Sequence, residues 1–245
     1  MGQAVAAVVE GRGDADLFAC FDRPGAEDPR LVDRASALAA AQVVIDFSTP
    51  KASVELAQVC AAQGGMALVI GSTGFDAEQI AAIDKATQAI PIVRAGNFSL
   101  GVNMLLGLVA QAARALAASD YDIEVFEAHH RRKVDAPSGT AIMLAQAAAD
   151  GRRVALETVA RAARDGITGA RPEGEIGYSV MRGGGIVGEH SVVFAAEDEI
   201  LTLSHSARDR SLFARGAVEA GLWAVRQPPG AYDMQDVLGL KKANP

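Results

Sequence analysis

The residues with the most chemistry in this chain stand in one run, Glu127-Ala-His-His-Arg-Arg-Lys-Val-Asp-Ala-Pro-Ser-Gly-Thr-Ala141. Two of the protein's four histidines, His129 and His130, are adjacent in it, and Arg131, Arg132 and Lys133 follow at once. These residue types suit an anionic substrate that must receive a proton. Free backbone N–H groups at a helix start, with the positive end of the helix dipole, hold a carboxylate or phosphate. Ser138, Gly139 and Thr140 are expected to supply them, and Gly139 lets a ligand approach closely. Like-charge repulsion from Arg131 and Arg132 is expected to ease proton release from Lys133. A histidine in such a place binds an anion, shuttles a proton, or does both. The bland alternative is a solvated basic turn capped by a serine.

Three kinds of element must position that run. Before it, Ile123 and Val125 alternate with acids over residues 122–127, the pattern of a half-buried strand. After it, residues 140–150 carry Ala, Ile, Met and Leu at helical spacing, with Ser138 as the N-cap. Further strands are predicted over 154–160, 174–182, 187–196 and 199–206, with a turn at Arg182-Gly-Gly-Gly-Ile-Val187. One helix among several strands makes an open mixed sheet, whose uncovered face needs a partner. His190 and His205 fall in these strands and read as packed structural residues.

The first hundred residues have another rhythm. A helix is under way from the start to Glu10, and a short apolar strand over 16–21 closes in Asp22-Arg23-Pro24-Gly25. Apolar strands over 43–47, 67–70 and 91–94 then alternate with helices over 51–62 and 76–89. That alternation predicts a parallel, doubly wound α/β sheet, in which ligands bind beyond the carboxyl ends of the strands. The polar or glycine-rich pieces at 48–50, 71–74 and 95–98 all fall on that edge. An acid after the second strand of such a unit bonds ribose hydroxyls and a neighbouring Arg takes a 2′-phosphate, roles that Asp22 and Arg23 fit. Residues 100–118 form a long apolar helix leading to the second domain, 211–225 a further helix, and Pro228-Pro229-Gly230 a break.

Composition narrows the classes. The chain has 245 residues, half of them hydrophobic, enough for one large or two modest domains. A net charge of −7 argues against general nucleic-acid affinity and makes the local cations at 131–133 point to a small anion. Cys20 and Cys60 make no disulfide framework, so a reduced cytoplasmic setting is expected. No apolar run has the length to span a bilayer.

The run from Glu127 to Ala141 resembles the signature of the 4-hydroxy-tetrahydrodipicolinate (dihydrodipicolinate) reductase family, E-x-H-H-x-x-K-x-D-x-P-S-G-T-A, without a gap. Val44-Ile-Asp-Phe-Ser-Thr-Pro50, Gly71-Ser-Thr-Gly-Phe75, Asn97-Phe-Ser-Leu-Gly-Val-Asn103, Val187-Gly-Glu-His190 and Tyr232-Asp-Met-x-Asp-Val237 agree in order. The resemblance implies a Rossmann-like domain over 1–99 and 211–245, and a substrate-binding and tetramerisation domain over 100–210. It implies a homotetramer and reduction of a cyclic dicarboxylate by NADH or NADPH in lysine and diaminopimelate biosynthesis. His129 would be the acid/base and Lys133 a proton donor, with His130, Ser138, Gly139 and Thr140 as substrate contacts. Met1, Asp22, Arg23, Gly71, Ser72, Thr73, Ala95, Gly96, Asn97 and Phe98 would contact the cofactor. The chain opens at the Met-Gly-Gln end of the family's glycine-rich turn, so the first strand and glycine loop are expected to be missing and cofactor binding to be weak.

Two rival readings remain at this point. A metal hydrolase would use His129, His130 and an acid, although neighbours on an extended segment face opposite ways and chelate one ion poorly. A non-catalytic, oligomeric binding protein would keep the assembly and lack turnover.

Overall fold

In the computed structural model, which describes residues 1–23 and 25–241, the predicted alternation appears as helices on both faces of a parallel sheet. Pro24, placed by the sequence reading in a turn, and residues 242–245 of the tail lie outside the described residues. The chain forms two units, Met1–Leu100 with Ser211–Pro245, and Gly101–Arg210.

The first unit runs α1 (Gly2–Glu10), α2 (Arg34–Leu38), β1 (Val43–Asp46), α3 (Pro50–Gln63), β2 (Ala67–Ile70), α4 (Ala77–Ala86) and β3 (Pro91–Arg94). α3 begins where the Thr49 hydroxyl accepts from the Ala52 N–H and Pro50 takes the first turn, a place where no N–H is needed. α4 begins with a reciprocal capping box between Asp76 and Gln79. All of β2 is buried, because both faces are covered. Leu68 and Ile70 pack with Leu56, Ala57 and Cys60 of α3, and Val69 packs on the opposite side with Ala217 and Ala220 from the returning C-terminal segment.

Residues 16–21 are not a strand. They make one parallel bridge, Cys20 to Leu31, and Phe18 stays 59% exposed. Apolar alternation marks a segment able to pair, but a strand needs a neighbour for its N–H and C=O groups. Among the described residues β1 pairs only with β2.

α5 (Leu100–Ala115) begins on the last residue of the first unit's Met1–Leu100 stretch and runs on into the second unit. That unit carries β4 (Asp122–His129), α6 (Gly139–Arg152), α7 (Leu156–Val159), β5 (Ala160–Arg161), β6 (Ile176–Arg182), β7 (Gly188–Ala195) and β8 (Ile200–Ala207). The sheet order is β5-β6-β4-β7-β8, with β4 parallel to β6 and antiparallel to β7. α6 buries Ala141, Leu144, Ala145 and Ala148 against Ile123, Val125, Val192 and Phe194. Residues 154–160 depart from the strand reading. α6 ends on Arg153 in the left-handed region (φ 59°), the chain makes the one-turn helix α7, and only Ala160 and Arg161 join the sheet. The β-branched residues there signalled extended chain, but the turn that closes α6 fixes the direction instead.

The chain then re-enters the first unit with α8 (Ser211–Ala224), β9 (Gly230–Tyr232) and α9 (Met234–Val237). β9 pairs parallel with β3, completing the order β1-β2-β3-β9. The reading of 228–230 as a break missed this strand, which is three residues long and opens on glycine.

Candidate active site

In the second unit the site is built at the end of β4, where the start of α6 lies over it. Glu127 is fully buried at 0% exposure, and its carboxylate is where the interactions converge. Arg182, on the adjacent β6, grips both oxygens, Nη2 at 2.7 Å and Nη1 at 2.8 Å. The Ser138 N–H donates to the same carboxylate at 3.0 Å, and His129 Nδ1 makes a short contact with it. Burial pushes the Glu127 carboxyl up, but Arg182, His129 and the Ser138 N–H outweigh it and hold it below the usual carboxylate range. It is therefore an anion at neutral pH.

His129 is half-buried, its ring edge-on to His190 with centroids 5.0 Å apart. His190 is 5% exposed, and its Nε2 lies 3.2 Å from the Ser138 hydroxyl. Burial, reinforced by the neighbouring His129, pushes His190 down to about 4, so it is neutral at pH 7. Lys133 Nζ sits 2.8 Å from Asp135, whose carboxyl it holds low, while Arg131 and Arg132 are exposed. The ammonium is thus built against an opposite charge, where the sequence reading invoked repulsion by its two neighbours. Ser138 caps α6 through its hydroxyl, which accepts from Ala141 N–H.

The structure corrects one predicted role. The Ser138 N–H is committed to Glu127 and is not offered to a ligand. Gly139 is exposed with open space around its Cα, and Thr140 is half-buried on the same first turn. His130 is half-buried beside His129, with its Nδ1 buried and without a hydrogen-bond partner among the described residues. Two participants were missed. Arg182 read as the edge of a glycine turn, although a buried acid on β4 called for a cation on a neighbouring strand. His190 read as packed; it does pack, but against His129 and the α6 cap. Among the described residues no group of three His, Cys, Asp or Glu is placed to hold a metal ion.

In the first unit a cleft of about 540 Å³ opens beyond the strand ends, walled by Ser72, Thr73, Gly74, Phe75, Ala95 and Gly96, with Tyr232 and Lys241 from the returning tail. Buried Asp46 at the end of β1 accepts from the Ser48 N–H at 2.8 Å and from the Ser53 hydroxyl, which lies 2.6 Å from the Ser72 hydroxyl. That chain fixes the loop after β2. Gly71 is required there, since a Cβ would come within 2.2 Å of the Phe47 ring. Asn97 caps the following turn through the Ser99 N–H, and the Phe98 side chain belongs to the core, edge-on to Phe47. Asp22, which accepts from the Arg23 N–H, Arg23 and Met1 are exposed and do not line this cleft.

Comparison with known proteins agrees with both halves. Residues 1–98 match the family described as dihydrodipicolinate reductase, N-terminus, and residues 101–238 match dihydrodipicolinate reductase, C-terminus. The 4-hydroxy-tetrahydrodipicolinate reductase of Caulobacter vibrioides is 64% identical over 242 residues, covering 99% of this chain and 94% of the relative. That of Dinoroseobacter shibae is 52% identical over 256 residues, covering 98% and 94%. Among solved structures, a dipicolinate-bound dihydrodipicolinate reductase from Paenisporosarcina sp. TG-14 shares the fold, with a TM-score of 0.77 at 22% identity over 96% of this chain and 94% of that one. The chain belongs to the dihydrodipicolinate reductase family, oxidoreductases whose N-terminal domain binds NAD(P).

Proposed function

We propose that this chain reduces 4-hydroxy-tetrahydrodipicolinate to tetrahydrodipicolinate with NADH or NADPH, in lysine and diaminopimelate biosynthesis. The observation that carries the reading is His129, held by a buried carboxylate beside Lys133 and the first turn of α6. A ring dicarboxylate matches what surrounds it: the His130 ring, the Lys133 ammonium and the open first turn at Gly139 and Thr140 are the chemistry that receives carboxylates. Lys133 or His129 gives the proton that the substrate carbon needs.

The cleft of the first unit fits a dinucleotide, since it joins hydroxyls of Ser72 and Thr73 with the apolar walls of Phe75 and Ile80. Gly74 at φ 87° leaves open space beside them. Ser72, Thr73, Ala95 and Gly96 would hold the cofactor directly, and Gly71, Asn97 and Phe98 shape the loops that do so. Met1, Asp22 and Arg23 would meet its adenosine end. When bound, a reduced nicotinamide supplies the hydride.

A homotetramer and a cytoplasmic location complete the proposal. Phe126, Met181 and Ile200 are exposed at 37%, 48% and 68% on strands of one mixed sheet, an apolar surface that a second copy would cover. Both cysteines are free, as a reducing compartment allows. The test is direct: supply freshly generated 4-hydroxy-tetrahydrodipicolinate and follow the loss of reduced-nicotinamide absorbance, with dipicolinate as competitor. Oxidation no faster than in the substrate-free control would defeat the reading, and light scattering decides the tetramer.

A further inference from the structure

We infer that Glu127 and Arg182 form a positioning pair, which sets the tautomer and orientation of His129 and ties that histidine to the first turn of α6. The inference rests on the proposed reductase reading and deepens it. Glu127 is not a surface acid that happens to be near. It is fully buried, and its two oxygens meet Arg182 twice, the Ser138 N–H and His129 Nδ1. A buried ion pair is a poor device for stability alone, since apolar residues of equal volume do as well or better. Arg182 by itself would neutralise the charge. The remaining lone pairs are spent on the acid/base candidate and on the backbone that starts the anion-binding turn.

The chemistry follows from donor and acceptor rules. An ionised carboxylate only accepts, so the His129 nitrogen facing it carries a hydrogen. Nε2 is then the end that exchanges a proton. It faces Gly188, where a Cβ would stand 3.2 Å away, so the missing side chain keeps this end clear. Once hydride has been added to the ring carbon conjugated with the substrate's imine, the substrate is an enamine. As the His129 imidazolium gives its Nε2 proton to the enamine carbon, the Nε2–H bond breaks and a C–H bond forms from the enamine electron pair, which restores the imine. The ring becomes the neutral Nδ1–H form and Glu127 stays ionised throughout. Arg182 also donates from Nη2 to the Asp135 carbonyl at 2.8 Å, and Asp135 pairs with Lys133. One guanidinium thus steadies both the histidine's partner and the loop that carries the lysine. The charged or titratable groups against His129 are Glu127 on its own strand, Arg182 level with it on β6, and His190 on β7.

The test begins with the intact protein. Nitrogen-15 NMR of histidine-labelled wild type should show neutral His129 protonated on Nδ1; a neutral ring protonated on Nε2 overturns the inference without any mutant. Glu127→Gln should lower kcat on the order of 10²-fold or more while leaving NADH affinity unchanged. In that variant the nitrogen-15 spectrum should show both neutral tautomers of His129, because an amide both donates and accepts where the carboxylate only accepts. Arg182→Lys keeps a charge without the two-pronged grip, so its kcat should lie between wild type and Glu127→Gln. If Glu127→Gln does not fold, the NMR result and Arg182→Lys decide. A folded Glu127→Gln with wild-type kcat and an unchanged His129 tautomer overturns the positioning role; a wild type inactive on authentic substrate overturns the reductase reading instead, and leaves the tautomer to be judged by NMR.

Discussion

In the first unit the candidate cofactor cleft is walled by loop backbone, small side chains and rings, its charged members Asp84, Arg94, Asp233 and Lys241 being exposed or half-buried, with the bonded chain Asp46–Ser53–Ser72 beneath. In the second unit the candidate substrate site is made of charged and titratable side chains from three strands and a helix start, several of them buried. The first is a matter of shape, the second of buried charge, and the two should fail in different ways. Steric changes should damage the cleft and spare chemistry. Charge changes in the second unit should damage turnover and pH tolerance and spare cofactor binding.

The largest expected effect tests the charge side. Lys133→Ala should lower kcat by about 10²-fold or more, with NADH affinity unchanged, because an ammonium at the reacting carbon matters most in the transition state. Steady-state kinetics with separate cofactor titration checks it, and near-normal kcat would remove Lys133 from the chemistry. Next comes acid stability. His190 is neutral in the fold and titrates at about 4, against 6.5 for a free histidine. For a base with a depressed folded value, protonation favours the unfolded chain. The stabilisation is full above about pH 6.5 and is lost progressively as the pH falls towards 4. The loss is about 3 kcal/mol, and His190→Gln should flatten the curve over that window in urea unfolding at stepped pH.

On the shape side, Gly71→Ala drives a methyl into the Phe47 ring. Overpacking of this kind costs about 1–3 kcal/mol. Differential scanning calorimetry should show destabilisation together with weaker NADH binding; an unchanged Tm would mean that the loop yields. The smallest effect lies outside the cleft walls, at exposed Arg23, a charge expected to meet the cofactor rather than the substrate. Arg23→Ala should weaken NADPH by about 1–3 kcal/mol and spare NADH, as expected for one charged hydrogen bond to a 2′-phosphate. Equal losses in isothermal titration with both cofactors would show that Arg23 does not read the phosphate.

What was legible in the sequence follows the same division. Local chemistry determined α3, α4 and α6, because Thr49, Asp76 and Ser138 cap them within three residues of their own start. It also determined β2, a short run of apolar residues that only a sheet covered on both faces can bury. The run from His129 to Thr140 was found because its reactive residues are close along the chain. Pairing was decided only in three dimensions. Residues 16–21 have a strand's composition and no strand, while Gly230–Tyr232 has little strand character and joins the sheet beside β3. Arg182 and His190 could not be read from their neighbours, since each gains its meaning from register: Arg182 stands level with His129 across β6, and His190 level with Glu127 across β7. The sequence by itself determined which residues could do chemistry. Only the tertiary structure decided that Glu127, buried and charged, would be the group that holds them together, because a buried carboxylate takes its partners from whichever strands and turns the fold brings within reach.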